Sequence, residues 1–268
     1  MQLADRIDDY SLRLHWLNVG RFRAFASHLG VSATIVAIVF AVVFFAWYPR
    51  PYFAAVGTGS IVRVLIGVDL VLGPLLTLIV FRPGKRLLLL DVACIAIVQL
   101  SALVYGLSVL YQERPYYTVF ALDRVHVLAA RDVDEAALED RAWIRKPAIG
   151  PLLVSARRPE GAQEQQKLLE ETLFGGAPDI ERRPSLWVPL SDDIASLRQR
   201  AHPIDDIRRA GKREAALVDR TLGNLDIDES RLGFLPMISA KNTATGIFDL
   251  DTGALVAALD IDGWQLVR

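Results

Sequence analysis

The stretch Leu29–Tyr48, LGVSATIVAIVFAVVFFAWY, holds no charged residue. At 1.5 Å per residue its twenty positions make a helix of roughly 30 Å, the thickness of a bilayer's hydrocarbon core. It reads as one transmembrane helix, spanning about 29–48. A cleaved signal peptide fits it less well: the run is longer than an h-region, lacks a small-x-small exit, and ends in Phe44, Phe45, Trp47 and Tyr48. Those aromatics suit an interfacial belt.

Outward from this run the pattern repeats. Ile61–Phe81 carries only Arg63 and Asp69, and Leu87–Tyr111 carries only Asp91. Three spans are therefore predicted, at about 29–48, 61–81 and 87–111, within a membrane domain of residues 21–112. Lys and Arg in the short flanks set the orientation. Arg6, Arg13, Arg21 and Arg23 precede the first span, and Arg82, Lys85 and Arg86 lie between the second and third. Only Arg50 and Arg63 lie near the loop between the first and second, and Arg63 can snorkel outward. The N-terminus and the Arg82–Arg86 turn are expected in the cytoplasm, and everything after about Gln112 in the periplasm of a bacterial inner membrane. Residues 1–20 form a cytoplasmic leader, in which Leu3, Ile7, Tyr10, Leu14 and Leu17 recur at nearly helical spacing. An amphipathic interfacial helix and a disordered leader both fit it.

Residues 113–268 have the composition of a soluble domain large enough for one core. A hairpin is predicted from Tyr117–Leu122 and Val125–Ala129, and a short helix over Ala136–Ala142 after the acidic Asp132–Glu135. A strand follows at Leu152–Ala156 and a helix at Gly161–Phe174, stopped by Gly175-Gly176-Ala177-Pro178. Ser191-Asp192-Asp193 caps a helix to about Arg200, Pro203 opens another, and Lys212–Leu222 continues the helical character. The end reads as strands: Phe234–Ser239, Thr245–Leu250 and Ala254–Leu259. The fold class is thus a membrane protein, three N-terminal transmembrane α-helices followed by a soluble α+β periplasmic domain.

Composition excludes several function classes. Lys and Arg total 30 against 31 Asp and Glu, so no global basic surface exists for nucleic acid. A single cysteine, Cys94, rules out an intramolecular disulfide and a Cys-rich zinc site, and the four histidines are too dispersed to pair as ligands. No GxSxG elbow, P-loop, HExxH or dinucleotide fingerprint is present. Asp251-Thr252-Gly253 resembles an aspartic-protease loop. It occurs once, and a hairpin turn uses the same residues. No catalytic residue, cofactor or metal is expected.

The polar residues inside the spans say more, because a carboxylate in hydrocarbon faces protein or water. Asp69 lies about 12 Å in from one end of span 2, and Gln99 about 18 Å in from the opposite end of span 3. In a core of about 30 Å these depths coincide, so an Asp69–Gln99 hydrogen bond is expected. Asp91, only about 6 Å in, reads as an interfacial carboxylate near Arg86. Asp69, Gly73 and Thr77 recur on one face of span 2, Gln99, Ala102 and Gly106 on span 3, and Ala33, Ala37 and Ala41 on span 1. Such stripes let helices approach closely. Either they hold the three spans together, or part of one stripe receives another protein's membrane helix. On the second reading Asp69, Gly73, Thr77, Gln99 and Gly106 are the partner-binding residues. Pro74 should kink span 2.

The segments Arg21–Leu29, Trp47-Tyr48-Pro49, Gly67-Val-Asp69-Leu-Val-Leu-Gly73-Pro74-Leu-Leu-Thr77, Asp91, Gln99-Leu100, Ala102–Gly106 and Arg114-Pro115 together resemble the TfpX/TfpZ family of type IV pilin accessory proteins. The likeness is close over residues 20–125 and looser beyond, where it rests on Arg231–Pro236 and the closing hairpin up to Trp264. The resemblance implies an inner-membrane, chaperone-like factor without catalysis. Its partners would be a specific major type IV pilin, met at the pilin's transmembrane helix and periplasmic head, the lipid bilayer, and the pilus assembly machinery. Two further readings stay open: a sensor or ion-linked component using Asp69, and a membrane-anchored hydrolase using Asp251.

Overall fold

The computed structural model describes residues 2–82, 84–133, 136–138 and 142–267, with side chains from residue 19 onward except that of Ala136. The chain divides into two compact units. One takes the chain up to Val42 with Gly59–Leu110, and the other takes Val43–Thr58 with the chain from Tyr111 onward.

Three helices among the described residues are long and apolar enough to cross a membrane, Val19–Trp47, Gly59–Val80 and Leu88–Gln112, and the first unit is built from their parts up to Val42, over Gly59–Val80 and up to Leu110. Span 1 belongs to a helix that runs unbroken from Gln2 to Val42. The predicted leader is therefore backbone-continuous with the span; no proline interrupts it, and isolated Gly20 and Gly30 are tolerated. Span 2 is α-helical over Gly59–Ile66, widens into a π-turn over Gly67–Leu72, and returns to α-helix over Gly73–Val80. The cause is Pro74, which has no N–H and whose ring would press on the carbonyl four residues back. The wider turn relieves this, with the Gly73 N–H donating to the Val68 carbonyl. Span 3 is a regular α-helix, Leu88–Gln112.

In the second unit, strands β1 (Pro115–Ala121), β2 (Arg124–Ala129), β3 (Leu152–Ala156), β4 (Trp187–Pro189), β5 (His202–Pro203), β6 (Leu232–Ser239), β7 (Thr243–Asp249) and β8 (Leu255–Leu259) form one mixed sheet. Its order is β4-β3-β1-β2-β6-β7-β8, with β5 pairing β6. β1–β2 is the predicted hairpin, closed at Leu122, whose φ of +64° is left-handed. β1–β3 and β2–β6 are parallel, which the sequence did not reveal. The helices are α1 (Tyr52–Val56), α2 (Ala162–Leu173), α3 (Ile194–Arg200), α4 (Ile204–Ala210), α5 (Lys212–Leu222) and α6 (Gly263–Leu266). Within the helix expected at Ala136–Ala142, the described residues form 3-10 turns at Ala136–Leu138 and, at its end, Ala142–Ile144, and residues 139–141 lie outside the described residues. Its proposed acidic start at Asp134 and Glu135 lies outside the described residues.

Among the described residues, apolar clusters hold this unit. One gathers Tyr117, Val119, Ile144, Val154 and Trp187; the other packs Ile207 and Val218 on Phe234, Ile247 and Leu259. Trp187, 1% exposed, lies with its ring centroid 4.9 Å from that of Tyr117, whose hydroxyl donates to the Ile144 carbonyl at 2.8 Å.

Residues 43–58, assigned from the sequence to the end of span 1 and the following loop, pack with the sheet instead. Tyr48 is wholly buried. The Thr118 hydroxyl donates to the Tyr52 hydroxyl at 3.0 Å, the Gly150 N–H to the Ala46 carbonyl at 2.9 Å, and the Asn242 amide to the Ala55 carbonyl at 3.3 Å. The aromatic cluster is thus divided. Phe45 is 79% exposed as a belt residue would be, whereas Trp47 meets Tyr111 edge-on and Tyr48 enters the core.

Candidate functional site

In the span unit, the buried side of span 2 is the row Val62, Leu65, Asp69, Gly73 and Thr77. The facing side of span 3 is Gln99, Leu103, Gly106 and Leu110. All five residues singled out from the sequence lie in these two rows, and each is engaged within the unit. A Cβ at Gly73 would collide with the Gln99 side-chain amide, so glycine is what lets spans 2 and 3 close there. A Cβ at Gly106 would stand 2.5 Å from Leu65 Cδ2. Thr77 hydrogen-bonds His28 of span 1, with Oγ1 and Nδ1 2.6 Å apart. His28 was not anticipated. The depth arithmetic that aligned Asp69 with Gln99 would have found it, since His28 opens span 1 and Thr77 lies one turn from the same end of span 2.

Asp69 and Gln99 do meet, through other atoms than expected. Gln99 Nε2 donates to the backbone carbonyl of Asp69 at 3.4 Å, a long bond. Asp69 Oδ2 and Gln99 Oε1 are buried without a hydrogen-bond partner among the described residues. Both residues line a cavity of about 210 Å³ between spans 1 and 3, walled by Val31, Ile35, Leu100 and Leu103.

One reading of the span stripes is corrected: Ala33, Ala37 and Ala41 all face outward, so they do not hold the spans together, and span 1 packs through Ser32 and Val36. Asp91 pairs with Lys85. At the same end of the unit, Arg21 Nε donates to the Phe81 carbonyl at 2.9 Å, satisfying the last turn of span 2.

Several acidic residues of the sheet unit are matched by cations. Asp251 accepts from Arg198 at 2.9 Å and from Arg231 at 2.8 Å, and Arg231 also donates to Asp249 at 2.7 Å. Burial raises the Asp249 carboxyl, but the Asp251 N–H and the Arg231 guanidinium more than offset it, leaving it below its usual range. Gly253 has φ +73°, and the Asp251-Thr252-Gly253 segment is the turn between β7 and β8. A cleft of about 650 Å³ lies beside α2, lined by Arg124, His126, Arg158 and Glu181 among others. Burial holds His126 below the ordinary imidazole range despite the nearby Glu181 carboxylate. Among the described residues, no group of three His, Cys, Asp or Glu side chains could hold a metal ion.

Comparison with known proteins places this architecture. The family described as fimbrial assembly protein FimB matches over residues 18–57, the N-terminal part of span 1 through the segment docked on the sheet. Fimbrial assembly protein, serogroup I, of Dichelobacter nodosus is 30% identical over 244 residues, covering 89% of this chain and 94% of that protein. Its serogroup E1 counterpart is 29% identical with the same coverage. The protein of serogroups C1 and C2 is 38% identical over 108 residues, 40% of this chain and 82% of that relative. No solved structure matches the chain. A relative at this identity, covered almost end to end through both the spans and the sheet, fixes the kinship: the chain belongs to the FimB family of fimbrial assembly proteins.

Proposed function

We propose that the protein is an inner-membrane accessory factor of type IV pilus assembly, of the TfpX/TfpZ kind, that assists a specific major pilin without catalysing a reaction. The observation that carries this is the pairing, in one chain of a fimbrial assembly family, of a three-helix membrane-length unit with a separate sheet domain. A pilin awaiting assembly has a membrane helix and a periplasmic head, so a partner built at both levels can engage both. On this reading the Lys and Arg of the short flanks keep the N-terminus and the Arg82–Arg86 turn in the cytoplasm, and the sheet domain lies in the periplasm. The ion pairs that occupy Asp251 favour its role as a turn residue over a hydrolytic one.

Deletion of the gene, followed by counting surface pili and measuring membrane pilin, tests the proposal. Fewer pili, restored by the full chain, with pilin recovered on affinity-purified protein from cross-linked cells, is the expected result. Unchanged piliation and no pilin on the purified protein would overturn it. The unpartnered Asp69 oxygen favours a second reading, an ion-linked membrane component. Proton flux through reconstituted vesicles that disappears in Asp69→Asn, without any change in piliation, would select that reading instead.

A further inference from the structure

In the middle of the span unit two oxygens have no hydrogen-bond partner among the described residues. Asp69 is 5% exposed and Gln99 8%, and Asp69 Oδ2 and Gln99 Oε1 are both without partners. An amide oxygen can only accept, and an ionised carboxylate likewise. Hydrocarbon supplies no donor, so leaving the two oxygens unpaired is costly. They border the 210 Å³ cavity between spans 1 and 3, far above the ~10–15 Å³ that one water needs. The remaining walls are apolar but for Ser32 and for His28, whose Nδ1 is engaged with Thr77. Two of them, Val31 and Leu100, are 58% and 53% exposed, so the cavity opens on the outer surface of the helices. In a bilayer that surface faces lipid.

These features define the occupant. It enters sideways from the membrane, fills an apolar-walled space, and brings an N–H or O–H to mid-core depth. A lipid acyl chain has no donor, and a headgroup stays at the interface. A membrane-spanning helix with a donor-bearing side chain meets all three conditions. We propose that the cavity between spans 1 and 3 is the socket for such a side chain on a partner's transmembrane helix, its donor completing Asp69 Oδ2 and Gln99 Oε1. This inference rests on the pilin-accessory reading for the partner's identity. It also divides the work among the residues: Gly73, Gly106 and Thr77 hold the spans together, and Asp69 and Gln99 present the acceptors.

The test places a photoreactive amino acid at Leu100, at the mouth, and separately at Leu169, exposed on α2 of the sheet unit, in cells making pili. Ala96→Phe fills the cavity while keeping both acceptors; Ala33→Phe adds the same bulk on the outward face of span 1. A Leu100 adduct with the pilin is expected, mapping within one turn of a side chain that carries N–H or O–H. Its yield should fall about fivefold or more in Ala96→Phe, the order of one lost hydrogen bond, and stay unchanged in Ala33→Phe. The Leu169 adduct should persist in both. Replacing the partner's donor by Leu, which leaves this chain intact, should also remove the Leu100 adduct. Leu100 adducts confined to lipid or to a second copy, insensitivity to cavity filling, or a mapped segment without any donor would each overturn the proposal. Pilin adducts at Leu169 alone would overturn the socket and leave the accessory reading standing; none at either position would overturn both.

Discussion

The buried carboxylate of the span unit and the paired carboxylates at the β7–β8 turn of the sheet unit are held in opposite ways. In the sheet unit, Asp249 and Asp251 share the guanidinium of Arg231, and Asp251 has Arg198 as well. In the span unit, Asp69 is buried with one oxygen unpaired. An acidic residue surrounded by cations reports on the stability of its own domain. One buried on a largely apolar cavity with an oxygen unpaired among the described residues points to something still to bind. The packing differs in the same direction, since the sheet unit fills volume with aromatic side chains and the span unit removes volume with glycine.

That contrast can be broken at several points. Trp187→Ala should have the largest effect, destabilising the sheet unit by about 3–5 kcal/mol. Thermal melting of the detergent-purified full chain, followed by protease resistance of the sheet unit, reads it, and span 2–3 disulfide trapping should be unaffected. Gly73→Val should do the reverse, costing about 1–3 kcal/mol by overpacking against Gln99 and lowering the amount of membrane-integrated protein. Gly30→Ala, with open space around it, should change nothing. Tyr52→Phe sharpens the boundary between units. Although position 52 lies between two spans, loss of its hydrogen bond to Thr118 should lower the sheet unit's stability by about 1 kcal/mol.

Acid should act on the sheet unit. Asp249 is held below its ordinary value as described, and in Glu113 hydrogen bonds from Arg131 and Lys241 outweigh burial with the same net result. A carboxyl depressed by folding stabilises above its unfolded pKa of about 4, and that contribution is lost as pH falls through the folded value. The difference in melting temperature between about pH 7 and about pH 3 should therefore narrow in Arg231→Gln and in Arg131→Gln. Asp251→Asn should be the mildest change, below about 1 kcal/mol because its ion pairs are half exposed. Unaltered piliation in that variant would leave the turn reading intact.

Much of both units was legible in the sequence. The three long apolar runs marked the spans, and β3 and the helix at Lys212–Leu222 fell on the residues predicted for them. Depth arithmetic brought Asp69 to Gln99 but could not say which atoms would meet. The packing side of span 1 was not legible, because lipid tails and neighbouring helices are equally apolar and the Ala33, Ala37, Ala41 stripe marks neither. Residues 43–58 were misassigned because aromatic residues beside a span suit an interface as well as a domain core, and only tertiary contacts separate Phe45 from Tyr48.

The π-turn over Gly67–Leu72 sets the rotational phase of span 2. An α-helix advances about 100° per residue, and the wider turn absorbs about one residue's worth of that rotation. This keeps Leu65, above the turn, and Thr77, below it, on one side of the helix, against Gly106 and His28 respectively. Ordinary helix with every residue kept would swing the Gly73–Val80 half by about 100° and carry Thr77 away from His28. A single-residue deletion within the turn would restore ordinary helix and keep Leu65 and Thr77 on one side, so the extra residue and the wide turn that absorbs it cancel, and the span stays in register.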